Sequence, residues 1–232
     1  LPNLTPKAFM PYVCRTRLVA LYCSVLLGTP GDRTGGRARD LCVHVDGTPG
    51  ALNENTDVKG VVDGQTTLIS GSGPLKVGVG PVRTGVTAIL PRGHNFKDSV
   101  FAAWFTLNGN GEMTGTTWVE DSGFLDGPVM ITNTHSVGVV RDAVIAWRVK
   151  NAPPDDDGYW WSLPVVAETW DGELNDINGF HVKPEHVFHA LEPAKSGSVE
   201  EGRVVGGPAM ICHDFTCGIG TSPRVPPATY SG

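Results

Sequence analysis

The chain has 232 residues, of which 40% are hydrophobic and 18% charged, with a formal net charge of -6. That composition supports one large or two small folded domains and excludes a disordered chain. The acidic balance lacks the basic face that nucleic acid requires, and no basic run is long enough to hold an anionic membrane.

Its 30 glycines and 18 prolines sit between apolar runs with no collagen period, which predicts turns and close backbone approaches in a strand-rich protein. Residues 1–30 form one compositional block, closed by Thr29-Pro30-Gly31. Within it, residues 18–27 are apolar and follow Arg15 and Arg17, but the run is about half the length that spans a bilayer. It reads either as a signal-like segment or as a short buried element; its late start and Pro2, Pro6 and Pro11 oppose the first reading. Residues 35–40 are a polar connector.

The β-branched run 65–69 predicts a strand, and 77–79 and 82–90 are further strand candidates, the last ended by Pro91-Arg92-Gly93. Residues 100–107 are apolar and aromatic and stop at Asn108-Gly-Asn-Gly111. A helix is expected over 116–122, with Glu120 and Asp121 near its first turn. Strand 129–132 precedes the best helical pattern, 136–150. There Val137, Val140, Val144 and Trp147 recur at helical spacing, while Arg141, Asp142 and Arg148 are placed to face water. After the acidic loop 151–158 come strand 163–167, a polar loop 170–178, and helix 184–190 with Pro184 in its first turn. A glycine-laced strand region, 204–219, closes the pattern. Strands alternate with helices, so the fold class is α/β or α+β in layers.

Five cysteines, Cys14, Cys23, Cys42, Cys212 and Cys217, show no zinc spacing and no disulfide framework. Cys212 and Cys217 flank His213 and Asp214; the reading is buried free thiols in a strand region, with no metal and no cofactor expected. The thiol usage points to a reducing, cytoplasmic compartment, and the 18–27 run leaves secretion open.

Several segments could carry chemistry. Glycine in Asn108-Gly-Asn-Gly-Glu112 lets backbone amides approach a ligand, although the same residues make a plain hairpin turn. Thr132-Asn-Thr-His-Ser136 lies at a strand-to-helix junction, where free N–H groups can hold an anion or Thr and Ser can simply cap the helix. His135 and Ser136 are adjacent, so they do not face each other as a nucleophilic pair. Glu168, in Glu168-Thr-Trp-Asp-Gly172, ends an apolar strand. A carboxylate there is costly unless paired or open to a cleft, so it either holds a cationic group such as a substrate amino terminus or simply begins a surface loop. Glu112, Glu120, Asp121 and Glu173 have no spacing that fixes a paired-carboxylate site. Gly206-Gly207 and Gly218-x-Gly220 lack the lysine and spacing of phosphate loops.

In this order, several motifs resemble the DmpA/β-peptidyl aminopeptidase family of self-processing N-terminal nucleophile hydrolases. They are Asp46-Gly-Thr-Pro-Gly50, Asn55-Thr-Asp-Val58, Gly80-Pro-Val-Arg-Thr-Gly-Val-Thr-Ala88, Leu90-Pro-Arg-Gly93, Asn108-Gly-Asn-Gly-Glu-Met-Thr-Gly115, Thr132-Asn-Thr-His-Ser-Val-Gly138, Val165-Val-Ala-Glu-Thr169, Asn175-Asp-Ile-Asn-Gly179 and Gly218-Ile-Gly-Thr221. Residues 1–34 are an extension outside the resemblance, and 35–232 correspond to the N-terminal, larger-subunit part of the domain.

The resemblance implies an α/β/β/α layered sandwich shared with the ornithine acetyltransferases, here incomplete. It implies a proenzyme that cuts its own chain before a Ser or Thr, which then removes N-terminal L-, D- or β-amino acids from small peptides, amides or esters through an acyl intermediate. Glu168 matches the position that holds the substrate amino group. Trp170 stands where the family's oxyanion-site tyrosine is expected, which is a departure. Thr169 would border the scissile carbonyl, and Asn133, Asn110 and Glu112 are candidates for supporting the site. The nucleophile is absent from this chain, so Gly232 is either a natural cleavage end or a truncation, and the polypeptide alone should not turn over substrate. The implied partner is a complementary C-terminal subunit carrying the nucleophile, in a homo-oligomer of heterodimers. An acyltransferase of the ornithine acetyltransferase kind, or a non-catalytic binding or structural subunit, are the alternatives.

Overall fold

A computed structural model of the chain describes residues 46–95, 97–226 and 229, all within the compact unit Arg33–Gly232. The 1–34 extension with its 18–27 run, the 35–40 connector, and Cys14, Cys23 and Cys42 lie outside the described residues. In chain order the elements are β1 (Thr48–Pro49), β2 (Val62–Ser70), β3 (Val82–His94), β4 (Val100–Phe101), α1 (Thr116–Ser122), β5 (Phe124–Leu125), β6 (Val129–Asn133), α2 (Val137–Asn151), β7 (Val165–Thr169), α3 (Pro184–Leu191), β8 (Ile211–Cys212), β9 (Phe215–Thr216) and β10 (Arg224–Val225).

The centre is a four-stranded sheet in the order β2-β3-β6-β7. The first two pairings are antiparallel and β6–β7 is parallel, as a strand–helix–strand crossover through α2 requires. Alternation along the strands sends Val86, Ala88 and Leu90 of β3, Met130 of β6 and Val166 of β7 to one face. There they meet Val137, Val140, Val144 and Trp147 of α2 and Val187, Ala190 and Leu191 of α3. Each fully buried Val or Leu in this layer contributes about 1.5–3 kcal/mol. The fold is therefore α/β, and the described residues supply one helical layer and one sheet of the sandwich.

Two glycines let other segments reach the sheet. A Cβ at Gly64 would lie 1.8 Å from the Ala190 carbonyl oxygen, so the end of α3 rests directly on β2. On the other face, a Cβ at Gly85 would lie 2.2 Å from the Val205 carbonyl oxygen. Gly64→Ala is expected to lower stability by about 1–3 kcal/mol, since backbone rather than a flexible side chain must give way. The check is the urea midpoint; an unchanged midpoint contradicts this packing.

Helix α2 follows its predicted pattern with one exception. Arg148 does not face water: it is 6% exposed. Its guanidinium donates to the Trp161 carbonyl and pairs with Asp155 at 2.7 Å, because the acidic loop after α2 folds back over it. Glu120 and Asp121 fall in the last turn of α1, and its first turn carries no acid.

Three strand expectations, 77–79, 82–90 and 204–219, are corrected, and the apolar 100–107 run is placed. Residues 77–79 are a turn closed by a Lys76–Gly80 bridge, with Val77 and Val79 exposed. β3 runs on through Pro91 to His94, past the end of its ladder with β2 at Leu90. Of 100–107, only Val100 and Phe101 find a strand to pair with. The 204–219 region is not continuous strand. Val205 has φ 53, its N–H donates to Thr67 Oγ1, and 204–209 crosses the sheet as a buried irregular segment before the β8–β9 hairpin. Among the described residues, no helix is long and apolar enough to cross a membrane, and no group of three or more His, Cys, Asp or Glu side chains could hold a metal ion.

Candidate functional site

The parallel strands β6 and β7 end side by side, with Thr132 opposite Glu168 and Asn133 opposite Thr169. The ends of parallel strands, where the chain departs for a helix or loop, are where α/β sheets usually bind ligands. Glu168 is half-buried there. Its Oε2 accepts a hydrogen bond from the Thr134 hydroxyl, in the single turn that leads into α2.

The free edge of β7 is occupied by the glycine-rich segment rather than by another strand. Glu168 N–H donates to the Glu112 carbonyl at 3.2 Å, Thr114 N–H donates to the Val166 carbonyl at 3.0 Å, and Met113 bridges Ala167. A Cβ at Gly111 would lie 2.9 Å from Glu168 Oε1, so glycine there leaves that oxygen room. Asn110 N–H donates to Asn108 Oδ1, which makes a side-chain-closed turn and not a two-residue hairpin. Along this segment lies an open cleft of about 450 Å³, lined by residues 104–113 with Ala167 and Glu168. Asn110, Glu112 and Glu168 are thus brought together, beside the exposed side chains of Trp104, Phe105 and Leu107.

Asn133 and Thr169 are placed differently. Asn133 is 3% exposed, and its Nδ2 donates to Thr84 Oγ1 at 2.8 Å. The Thr169 hydroxyl reaches the Thr132 and Gly206 carbonyls, each at 3.2 Å. Neither side chain lines the cleft. Trp170 is 44% exposed, and its indole covers Gly172 so closely that a Cβ there would meet ring carbons at 2.7 Å. Ser136 is buried, whereas exposed His135 stacks on Phe180 at 6.1 Å, so the two form no couple.

The loop after Trp170 holds buried polar groups that its composition did not reveal. Asp171 is 1% exposed, and its Oδ1 accepts from Asn175 Nδ2 at 3.0 Å. Burial pushes the Asp171 carboxyl up to about 6, against the opposing pull of Thr84, Asn175 and His135. Asn175 Oδ1 in turn accepts from Arg83 N–H, tying the loop to the start of β3. Asp176 accepts from Gly78 N–H at 2.7 Å and pairs with His181 at 2.8 Å. Burial alone would raise its carboxyl, but the His181 and Gly78 contacts outweigh that and hold it below the usual value. Its contribution to stability is therefore present above the ordinary carboxylate value and is lost as pH falls through the lowered one. His181→Ala should cost about 1–3 kcal/mol at neutral pH by leaving a buried acceptor without its partner. The loss should shrink at acid pH in a denaturation series, and a pH-independent loss contradicts the pairing.

The motif order and the placement of Glu168 meet in a wider comparison. The sequence model of peptidase family S58 matches residues 53–231. The chain belongs to that family. It is 56% identical, over 206 residues, to the β-peptidyl aminopeptidase BapA of Sphingosinicella microcystinivorans, a match covering 89% of this chain and 51% of that protein. The chain spans about half the length of the curated relatives it matches. Among solved structures, it superposes on a Burkholderia sp. β-aminopeptidase with TM-score 0.70 and 47% identity, covering 78% of this chain and 50% of the other. It also superposes on the L-aminopeptidase D-Ala-esterase/amidase of Ochrobactrum anthropi with TM-score 0.68 and 45% identity, over 78% and 50% of the two chains. That enzyme's structure is described as a prototype for the serine aminopeptidases and a variant among the Ntn hydrolase fold. The S58 chain thus has the α/β architecture of that type.

Residues that the sequence reading missed lie next to those it named. Thr134, which holds Glu168, and Gly111, which leaves Oε1 room, sit inside quoted motifs. Only the strand register shows that they converge.

Proposed function

We propose that this chain is the amine-recognising part of an aminopeptidase that releases N-terminal residues from small peptides, amides or esters. The observation that carries the reading is Glu168: a half-buried carboxylate at a strand end, opening on a cleft, with one oxygen already held by a neutral hydroxyl. Such a carboxylate is placed to take a cationic partner from the cleft, and a substrate ammonium group supplies one. Family S58 and the β-peptidyl aminopeptidases among its relatives support the same reaction class.

In this reading, Thr134 fixes one oxygen of Glu168, and the other binds the ammonium group. Anchoring the amine sets the scissile carbonyl at a fixed distance beyond it, near Thr169 and Trp170. A Ser or Thr hydroxyl outside this chain attacks that carbonyl and forms an acyl intermediate; the amine departs with a proton, and water releases the acid. Trp170 replaces an expected tyrosine; its indole N–H is the only donor its side chain offers to an oxyanion. The chain bearing the nucleophile is the proposed partner, arising by self-cleavage of one precursor. Asn133, buried and donating to Thr84, takes no direct part in this reading.

The test is expression of the full coding sequence, followed by mass spectrometry and hydrolysis of amino-acid p-nitroanilides. The reading expects a self-cut product and release of p-nitroaniline. An uncut, inactive product, or acetyl transfer from acetylated ornithine without amide hydrolysis, contradicts it.

A further inference from the structure

The β8–β9 hairpin carries two thiols that the proposed reaction does not use. Its register sets Ile211 opposite Thr216 and Cys212 opposite Phe215, with Cys217 N–H donating to the Met210 carbonyl at 2.8 Å. Cys212 and Cys217 therefore lie on the same face of the ladder, one step apart on a diagonal. The Cys217 thiol donates to the carbonyl of Phe215, the residue opposite Cys212, at 3.7 Å. The thiols are not buried in a strand region as the sequence reading held: Cys212 is exposed and Cys217 half-buried. The two-residue turn between the strands explains that exposure. His213 and Asp214 take φ values of 51° and 64°, the left-handed pair that a tight hairpin demands, and this throws the tip into solvent.

We propose that Cys212 and Cys217 are a redox-active thiol pair, converted to an intramolecular disulfide by low-molecular-weight disulfides of the glutathione class. Exposed Cys212 attacks one sulfur of the small disulfide as its thiolate, forming a mixed disulfide and expelling one small thiolate. Cys217, whose thiol is held up by burial and by its neighbour, then loses its proton and attacks the Cys212 sulfur. That step forms the Cys212–Cys217 bond and expels the second small thiolate. The two protein thiols are oxidised, the small disulfide is reduced to two thiols, and the protons released by the cysteines end on those thiols. The bond would close a loop next to the proposed site, because Ile211 N–H donates to the Trp170 carbonyl at 2.9 Å.

The sequence offers a direct readout. Trypsin sites at Arg203 and Arg224 release one peptide containing both Cys212 and Cys217 and no other cysteine. The chain is equilibrated with a series of reduced and oxidised glutathione mixtures, alkylated with iodoacetamide without reduction, digested and weighed. The proposal expects this peptide to lose both alkylation sites and to run two hydrogens lighter than the reduced form. In Cys217→Ser, Cys212 should instead accumulate as a stable glutathione adduct. In Cys212→Ser, Cys217 should be modified much more slowly. Two alkylatable thiols at every ratio overturn the proposal, as does cross-linking of Cys212 to Cys14, Cys23 or Cys42, or the absence of any adduct in Cys217→Ser. The readout needs no catalytic activity, so it stands or falls separately from the aminopeptidase assignment.

Discussion

Replacing Glu168 by glutamine in the complete enzyme is expected to lower kcat/KM for free-amine substrates by roughly 30- to 1,000-fold, or about 2–4 kcal/mol. The change keeps the shape of the side chain and the Thr134 contact, so the fold should survive. What is lost is the charge facing the ammonium group. The carboxylate is only half-buried, which places the loss at the lower end of values for desolvated charge pairs. Because the amine is held before and during attack, KM should rise more than kcat falls. Steady-state kinetics with an amino-acid p-nitroanilide check this; an unchanged kcat/KM contradicts it.

Asp171→Asn is expected to stabilise the folded chain above neutral pH and to leave it nearly unchanged at acid pH. The Asp171 carboxyl is raised from 3.8 to about 6, chiefly by burial. Across that window the folded chain holds a proton that the unfolded chain has released. Stability therefore falls as pH rises through the window and levels off above it. The ionised carboxylate costs about 3 kcal/mol at the plateau. Asparagine cannot ionise, and its side-chain oxygen can still accept from Asn175. Urea denaturation of both proteins at about pH 4 and about pH 8 measures the effect, with the difference between them growing with pH. A pH-independent difference contradicts the burial argument. Subtracting wild type from variant removes the opposite trend contributed by Asp176.

Where a single local rule decided the structure, the sequence was readable. The spacing of Val137, Val140, Val144 and Trp147 marked the buried face of α2 because periodicity of 3.6 and burial coincide there. Pro184 marked the first turn of α3 because proline's missing N–H is no loss at that position. Errors arose where a distant segment decided. The 204–219 region has strand composition, but Val205 is tied to Thr67 and packs on Gly85, both far away in sequence, so 204–209 runs as an irregular segment. Arg148 has helix-surface spacing, yet a loop several residues later covers it. Asp171 sits in a polar stretch that reads as solvated, and only the return of that loop onto Thr84 and Arg83 buries it.

The site shows the same division. The position of Glu168 at a strand end was legible because the apolar run before it stops there. The proximity of Gly111 to its free oxygen was not, because it depends on the bridge between Met113 and Ala167 across the edge of β7. Asn133 was named from the same strand-end logic, but its side chain is committed to Thr84 within the protein.

The most direct measurement compares kcat/KM for a free-amine amide substrate with that for its des-amino analogue, in wild type and in Glu168→Gln. An ammonium-gripping carboxylate predicts that wild type strongly prefers the amine and that the variant loses most of that preference. Equal preference in the two enzymes would remove Glu168 from substrate recognition.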